Sequence, residues 1–260
     1  MGKVLAICSR KGGVGKTTTA VSLGASMARY GKEVLIVDAD GQHSATVSLG
    51  VPDPDKLEVT LATIMQGIIR EQEVDAHEGI ITHSEGISLM PSNNGLAGIE
   101  VALAPIIGRE TVLRQYIEKV RCLFEYVLID TAPTLDLMAV NALAAADSVI
   151  IPVAPKFLDV KGLELLLKSI AQVRRQINPS LGIGGILMTM VDKRANITKG
   201  IIDMIEQAYG DSLKIFKDSI PHSVRVVESS ATGKSIFEHD PNGRVAMAYA
   251  SLTKEVLEVA

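Results

Sequence analysis

Residues 11–18 read Lys11-Gly12-Gly13-Val14-Gly15-Lys16-Thr17-Thr18, between a short apolar run and a helical pattern. The glycines allow successive backbone N–H groups to point inward around phosphate oxygens, and the helix N-terminus adds a partial positive charge. Lys16 can then reach the β- and γ-phosphates of a nucleotide, and the Thr17 hydroxyl can ligate Mg²⁺. The plain pattern G-x-x-x-x-G-K-[ST] would place glycine where this chain has Arg10. The other features still predict a phosphate-binding loop, with a ligand-free glycine turn as the weaker alternative.

Acidic residues follow two apolar runs farther along the chain. Asp38 and Asp40 come after Val34–Val37, and Asp130 comes after Tyr126–Ile129. At the carboxyl ends of strands beside a phosphate loop, such carboxylates can organise Mg²⁺ or orient a water molecule. Taken alone, Asp130 could equally cap the next helix. Its place beside the other motifs favours the role at the metal.

Short apolar runs alternate with longer helical patterns along most of the chain, and this alternation predicts an α/β fold. The predicted strands are Val4–Cys8, Val34–Val37, Ile87–Met90, Tyr126–Ile129, Val149–Val153 and Ile183–Val191. The predicted helices are Lys16–Tyr30, Leu96–Ile107, Glu110–Leu123, Asp136–Ala146, Asp159–Ile177, Asn196–Tyr209 and Arg244–Ala260. Continuous apolar strands indicate a doubly wound, mostly parallel sheet with helices on both faces. We expect a single domain over residues 1–260, decorated by the irregular, acidic segment Val51–Glu78.

The composition excludes several classes of protein. The 260 residues are 47% hydrophobic and 22% charged, which excludes intrinsic disorder, and two cysteines exclude a disulfide scaffold. No apolar run reaches the length of a transmembrane helix, and the N-terminus does not read as a signal peptide, so we expect a soluble cytoplasmic protein. With no Trp and nine Phe and Tyr together, a stacking platform for single strands is not expected.

The string Lys-Gly-Gly-x-Gly-Lys-Thr-Thr resembles the deviant Walker A motif of the ParA/MinD family of ATPases. The resemblance implies a P-loop ATPase that binds ATP and Mg²⁺ and forms a homodimer around sandwiched nucleotide. It implies that Lys11 crosses the dimer interface to the partner's nucleotide, as a cation supplied in trans to the transferring phosphoryl group. Residues 11–18 would then contact the nucleotide, and Lys11 and Lys16 would act in catalysis together with Asp40.

The acidic residues also match the family pattern. The resemblance implies that Asp40 positions the attacking water, that Asp38 is a metal-side and structural group, and that Asp130 holds Mg²⁺ through water, with Thr17 as a further ligand. Relatives usually continue Asp-Pro-Gln-Gly-Asn from the water-positioning residue. This chain has Asp40-Gly41-Gln42-His43-Ser44, so the turn is looser.

Nearly the whole chain, and not only the phosphate loop, resembles chromosome and plasmid partition ATPases. In such relatives the loop at Ile220-Pro221-His222 packs on the adenine, which points to Pro221, with Met190 as a weaker candidate. Arg194 and Arg225 stand where relatives keep DNA-contacting arginines. Nearby lysines could widen the basic patch: Lys193, Lys199, Lys214 and Lys217. Because the pI is only about 5.8, DNA affinity would have to come from such a local patch.

The sequence therefore predicts an ATP-hydrolysing DNA partition ATPase. It would bind duplex DNA without sequence preference, associate with the nucleoid when bound to ATP, and respond to a ParB-like DNA-bound adaptor. One alternative is a membrane-cycling division-site ATPase resembling MinD, but the helix Arg244–Ala260 has no net charge and an apolar stripe typical of core packing. A ParA-like ATPase that positions a protein cargo is the other alternative.

Overall fold

A seven-stranded sheet forms the centre of the protein. The computed structural model describes residues 1–192 and 194–259, so the predicted patch residue Lys193 and the predicted helix end Ala260 lie outside the described residues. The strands are β1 (Lys3–Ile7), β2 (Val34–Ala39), β3 (Ile81–Thr82), β4 (Ile87–Met90), β5 (Tyr126–Thr131), β6 (Ser148–Val153) and β7 (Gly182–Met188). Their order across the sheet is β3-β4-β2-β5-β1-β6-β7, and only the short edge strand β3 is antiparallel to its neighbour. The predicted mostly parallel sheet is confirmed.

Helices cover both faces of this sheet. Within the described residues they are α1 (Lys16–Arg29), α2 (Ser44–Ser48), α3 (Leu61–Ile69), α4 (Gly95–Leu103), α5 (Val112–Val120), α6 (Leu137–Ala145), α7 (Phe157–Gln176), α8 (Asn196–Tyr209), α9 (Arg225–Ala231), α10 (Ile236–His239) and α11 (Arg244–Val259). Alternate residues of β1 enter two separate apolar clusters. Val4 and Ala6 pack with α3–α8, whereas Leu5 and Ile7 pack with α1, α10 and α11. This arrangement is the predicted doubly wound α/β fold.

The segment predicted to decorate the fold instead contributes to its core. Within Val51–Glu78 the chain forms α3, in which Leu61, Ile64 and Met65 are buried. The side chains of Thr60 and Thr63 form a reciprocal capping box at the N-terminus of this helix. The expectation that this segment lies outside the core was wrong, because a nine-residue helix among acidic and turn residues gives a weak periodic signal.

The last predicted strand is shorter than the apolar run that suggested it. β7 ends at Met188, three residues before the predicted end at Val191. Met190 has a φ of 54°, a left-handed conformation that interrupts extended backbone. Val191 then forms an isolated parallel bridge with Pro221. The chain therefore turns at the carboxyl edge of the sheet. Residues 190–191 and 220–221 lie side by side there and form a wall at this edge.

Strand register brings the predicted motifs to this same carboxyl edge. Ile7, the last residue of β1, lies beside Asp130 of β5, and Asp38 of β2 lies beside Asp130 on its other side. The loop after β1 and the two acidic strand ends therefore meet in adjacent positions. In open parallel sheets, ligands bind in the crevice outside this edge.

Candidate functional site

The glycine-rich loop after β1 leads directly into the first turn of α1. Gly13 and Gly15 have φ values of 71° and 82°, which residues with a side chain rarely adopt. Gly15 precedes the first turn of α1, which has neither a side-chain cap nor an acidic residue. The buried Val14 is anchored from outside the loop, because its carbonyl accepts a 2.8 Å hydrogen bond from the Thr189 hydroxyl. Free amides at a helix N-terminus form an anion site.

Lys16 lies inside this loop and is 7% exposed. Its Nζ donates to the carbonyl of Lys11 at 3.3 Å, so the ammonium group is turned back toward the loop. Burial lowers the pKa of Lys16, and the negative charges of Asp130 and Asp40 oppose that shift. A buried ammonium group facing free amides favours an anionic ligand in the loop.

Asp130 is the least satisfied polar group of the site. Its carboxylate is fully buried, and neither oxygen has a hydrogen-bond partner among the described residues. Burial and the charge of Asp38 raise its pKa well above the usual range, while Thr17 and Lys16 act in the opposite direction. Since buried polar groups are nearly always paired, this orphaned carboxylate indicates that a donor or cation is brought by a ligand.

Asp38 has a different environment, because its oxygens are already occupied. The backbone N–H and the hydroxyl of Thr46 donate to Oδ2 at 2.8 and 2.7 Å, and the Asp40 N–H donates to Oδ1 at 3.2 Å. Burial raises the pKa of Asp38 to about 6. The Thr46 hydroxyl also accepts from the Ser92 N–H at 2.9 Å. In this structure Asp38 therefore ties β2 to α2 and to the end of β4.

Asp40 stands at the mouth of the site and is 7% exposed. Its Oδ1 accepts a hydrogen bond from the Gln42 N–H at 2.9 Å, and its second oxygen is not used by that turn. The turn closes when the His43 N–H donates to the Asp40 carbonyl at 2.8 Å. His43 has a left-handed φ of 44°, and its Nδ1 is buried without a partner among the described residues.

Both predicted adenine contacts line one pocket next to the phosphate loop. Met190 and Pro221 face Gly15 and Thr18 there, across a cavity of about 80 Å³. Val226 and Val227 of α9 close it from another side. The same wall continues into a wider cleft of about 640 Å³ that includes Arg244 and Met247. The structure thus brings the loop and both predicted base contacts together.

The two predicted DNA-contacting arginines lie near this wall, and Arg194 lines the wider cleft itself. Arg194 has a side chain 91% exposed and pairs with Asp192 at 3.0 Å, while Arg225 begins α9 and pairs with Glu228 at 2.9 Å. Exposed ion pairs of this kind contribute little to stability and exchange readily for other anions. The structure therefore places both arginines at the surface, each beside a carboxylate.

The helix α11 packs into the fold as expected. Tyr249 and Leu252 are buried against the cluster around α1, and the Tyr249 hydroxyl lies 3.1 Å from the Thr19 hydroxyl. The predicted stripe residue Val259 has a side chain outside the described set. No helix within the described ranges is long and apolar enough to cross a membrane.

Sequence reasoning missed the groups that fix the loops of the site. Thr46 holds Asp38, Thr189 holds Val14, and Tyr249 contacts Thr19 at the start of α1. Thr46 follows the second acidic residue by six positions, and no local pattern marks such a spacing as a contact. In the described part of the chain, no group of three or more His, Cys, Asp or Glu side chains is arranged for a metal ion. A site for Mg²⁺ here would therefore depend on ligand oxygens as well.

Comparisons with known proteins agree with this geometry. The sequence profile of an AAA domain family matches residues 2–183. The sporulation initiation inhibitor protein Soj of Bacillus subtilis is 39% identical over 257 residues, covering 98% of both chains. The chromosome partitioning protein ParA of Caulobacter vibrioides is 36% identical over 257 residues, covering 98% of this chain and 94% of its own.

A solved structure shows the same fold with nucleotide bound. It is described as cobyrinic acid a,c-diamide synthase from Mycobacterium smegmatis with a bound ATP analogue and magnesium. It superposes with a TM-score of 0.84 at 32% identity, covering 99% of this chain and 95% of its own. Its sequence identity is lower than that of Soj or ParA, and the likeness extends through the whole α/β fold.

Proposed function

The chain belongs to the ParA/Soj family of ATPases, and from this premise we propose that it is an Mg²⁺-dependent ATPase that partitions DNA. Residues 1–260 would act as one ATPase domain. In the ATP-bound state it would form a homodimer, bind duplex DNA without sequence preference on the nucleoid, and be stimulated by a ParB-like adaptor.

The observation that carries the proposal is the buried carboxylate of Asp130, which lies next to Thr17 and Lys16 and has no hydrogen bond of normal geometry within the described residues. Magnesium binds proteins through one or two carboxylates together with nucleotide phosphates and water. The residues fit such a group, because the Thr17 hydroxyl, the acid Asp130 and the uncapped N-terminus of α1 lie together at the carboxyl edge of the sheet. Thr17 and Asp130 would hold Mg²⁺, which neutralises phosphate charge when bound, and the similar Mycobacterium structure carries an ATP analogue with magnesium.

The loop residues have distinct roles in this proposal. The amides of residues 12–18 would bind the phosphates, and Lys16 would exchange its bond to the Lys11 carbonyl for phosphate oxygens. Met190 and Pro221 would contact the adenine from the pocket beside Gly15. Asp38 would act mainly by holding Asp40 through that residue's N–H, which supports a structural role more than direct metal contact.

Hydrolysis needs a water molecule in line with the γ-phosphate. Asp40 is the candidate for orienting it, because one oxygen is fixed by Gln42 and the other is free to accept from water. Lys11 would add a positive charge at the partner's nucleotide. Lys11 is half-buried in the phosphate loop, and Asp40 follows β2 at the same carboxyl edge of the sheet.

DNA binding would use Arg194 and Arg225, released from their carboxylate partners to contact phosphates. Non-specific duplex binding needs phosphate contacts and no base readout. Because the chain is acidic overall, local arginines must supply the attraction, and the salt dependence of binding should grow with the number of phosphates that they contact.

One experiment tests the proposal. ATP turnover would be measured with Mg²⁺ alone, with duplex DNA, and with anionic liposomes. Binding of the protein to the DNA and to the liposomes would be measured in parallel by cosedimentation. We expect slow basal turnover, ATP-dependent DNA binding and no ATP-dependent liposome binding. Lys16→Ala serves as the control without nucleotide binding, because it removes the cation facing the β- and γ-phosphates.

Two outcomes would contradict the proposal. If Lys16→Ala bound ATP with wild-type affinity, the assignment of residues 11–18 as the phosphate-binding loop would be wrong. Binding to liposomes but not to DNA at low salt would replace the partition function with the membrane-cycling alternative.

A further inference from the structure

Lys11 lies along helix α7 rather than extending into solvent. A Cβ atom built on Gly162 would lie 3.2 Å from Lys11 Cγ and 3.7 Å from its Cε, with Arg10 Cβ at 4.0 Å. The stem of Lys11 therefore crosses α7 at the one position of this turn that lacks a side chain. The lysine is half-buried as a result.

Gly162 has no conformational reason to be glycine. It lies within the 20-residue helix α7, is buried, and does not have a left-handed φ. Glycine inside a helix lowers stability by roughly 0.5–1 kcal/mol relative to alanine. The close approach of Lys11 is the contact that a methyl group would disturb, so it accounts for the glycine.

The ammonium group of Lys11 also interacts with a carboxylate of α7. Asp159 lies one turn before Gly162, and the positive charges of Lys156 and Lys11 oppose the rise that burial causes in its pKa. Lys11 thus has its stem against Gly162 and its ammonium group within the field of Asp159. A long side chain held by two contacts has lost much of its rotational freedom already.

We propose that Gly162 is a positioning residue that holds Lys11 extended on α7, ready to reach the nucleotide of a second copy. This inference rests on the proposed ATP-dependent dimer and adds the element that prepares its lysine. Without the space left by the missing side chain of Gly162, Lys11 would lose its rotational freedom only when the two copies associate. The cost of ordering one such side chain corresponds to about a three- to tenfold loss in dimer affinity.

Gly162→Ala tests the proposal, with Gly200→Ala as the matched control. Gly200 lies inside α8, and a Cβ there meets nothing within 4 Å. Both variants should unfold at the same temperature as the wild type or higher. Gly162→Ala should keep wild-type affinity of the monomer for ADP, yet weaken the ATP-dependent dimer by about three- to tenfold in light scattering or analytical ultracentrifugation. Gly200→Ala should dimerise as the wild type does.

A double-mutant cycle shows whether Gly162 acts through Lys11. In a Lys11→Ala background, Gly162→Ala should have no further effect on dimerisation or turnover. An independent loss in that background would mean that Gly162 is needed for packing alone, and the proposal would be wrong. A tighter dimer in Gly162→Ala would overturn it too, because α7 would then restrain Lys11. If the wild type forms no ATP dimer, the proposed function fails first, and this inference fails with it.

Discussion

Val191 and Pro221 form an isolated parallel bridge that joins two segments of the wall of the candidate nucleotide pocket. The Val191 N–H donates to the Ile220 carbonyl at 3.0 Å, which fixes their register. Each segment carries a pocket residue, Met190 or Pro221, and an arginine four positions later. The bridge therefore connects the candidate base contacts to the candidate DNA contacts through a few backbone atoms.

Charge reversal at Arg225 should weaken DNA binding without affecting nucleotide binding. Each lost phosphate contact should lower the magnitude of the slope of log K against log salt by about 0.9, and a dimer presents each arginine twice. Arg194→Glu should have a smaller effect. The measurement is ATP-dependent binding to two unrelated duplexes across a salt series, and both duplexes should lose affinity equally.

Arg70→Glu is the matched control, because it makes the same charge change at an exposed position at the end of α3. Glu228→Gln offers a change in the opposite direction. It removes the carboxylate that pairs with Arg225, so DNA affinity should rise. Equal losses in Arg70→Glu and Arg225→Glu would mean that only net charge matters.

Asp40→Ala should trap the ATP-bound dimer. The water would lose its orienting carboxylate while the phosphate contacts remain, so turnover should fall by about 100-fold or more. Single-turnover hydrolysis and scattering report the two effects separately. Asp40→Asn keeps an acceptor for the Gln42 N–H, and it should be equally inactive if the negative charge is what matters. Hydrolysis at the wild-type rate in both variants would assign the water to another residue.

At a pH where Asp130 is ionised, Asp130→Asn should stabilise the nucleotide-free protein by about 1–3 kcal/mol, because it removes a buried charge that Thr17 and Lys16 offset only in part. Thermal unfolding without ligand measures this gain. With ATP and Mg²⁺ present the order should reverse, since only the wild type would bind the metal. Glu58→Gln, at an exposed carboxylate, should leave stability unchanged. A less stable Asp130→Asn protein would show that the carboxylate has a partner in solution.

The same carboxylates predict a pH dependence. Folding raises the pKa of Asp38 to about 6 and raises the pKa of Asp130 as well. A group of this kind costs stability above its folded pKa, and the cost is relieved as pH falls through that value. The nucleotide-free wild type should therefore gain stability as pH falls through about 6 toward the ordinary aspartate range, and Asp130→Asn should gain less. Loss of stability over this range would contradict the assignment.

His43→Gly should raise stability by about 1 kcal/mol. His43 has a left-handed φ of 44°, which glycine adopts at lower cost, and within the described residues its buried Nδ1 has no partner. Glu71→Gly is the control, since Glu71 also has a positive φ, 57°, but lies away from the site. Denaturant unfolding compares the two, and turnover is measured in parallel. A destabilised His43→Gly protein would mean that ring packing outweighs the backbone strain.

The sequence predicted the phosphate loop and the sheet because both have strong local signals. Glycines at 12, 13 and 15 before a helix, and apolar strands ending in Asp38 and Asp130, are patterns that a short window contains. Parallel strands end at the same edge of a sheet, so the loop after β1, Asp38 and Asp130 were expected to lie close together. The left-handed turn at Met190 could not be predicted, since methionine rarely adopts it and no neighbouring residue signals it.

The contacts that hold the site together were also beyond sequence reasoning. Thr189 and Val14 are 175 positions apart, and their hydrogen bond depends on how β7 ends beside the loop. The partners of Asp38 likewise depend on the packing of α2 and β4. From the sequence alone, Gly162 only lowers the stability of α7. The contact of its position with the Lys11 side chain is seen only in the structure. The identity of such residues depends on contacts with residues far away in the sequence. A pattern within a short window therefore cannot predict them.

The hydroxyl contact between Thr19 and Tyr249 joins positions 230 residues apart, and this spacing has a consequence for synthesis of the protein. The phosphate loop leaves the ribosome early, but the helix that covers α1 is translated much later. At roughly 5–20 residues per second, α1 would wait on the order of 10–50 seconds for α11. The packing of α1 against α11 can therefore form only after Tyr249 has emerged from the ribosome, so the start of the phosphate-loop helix acquires its final neighbours only at the end of synthesis.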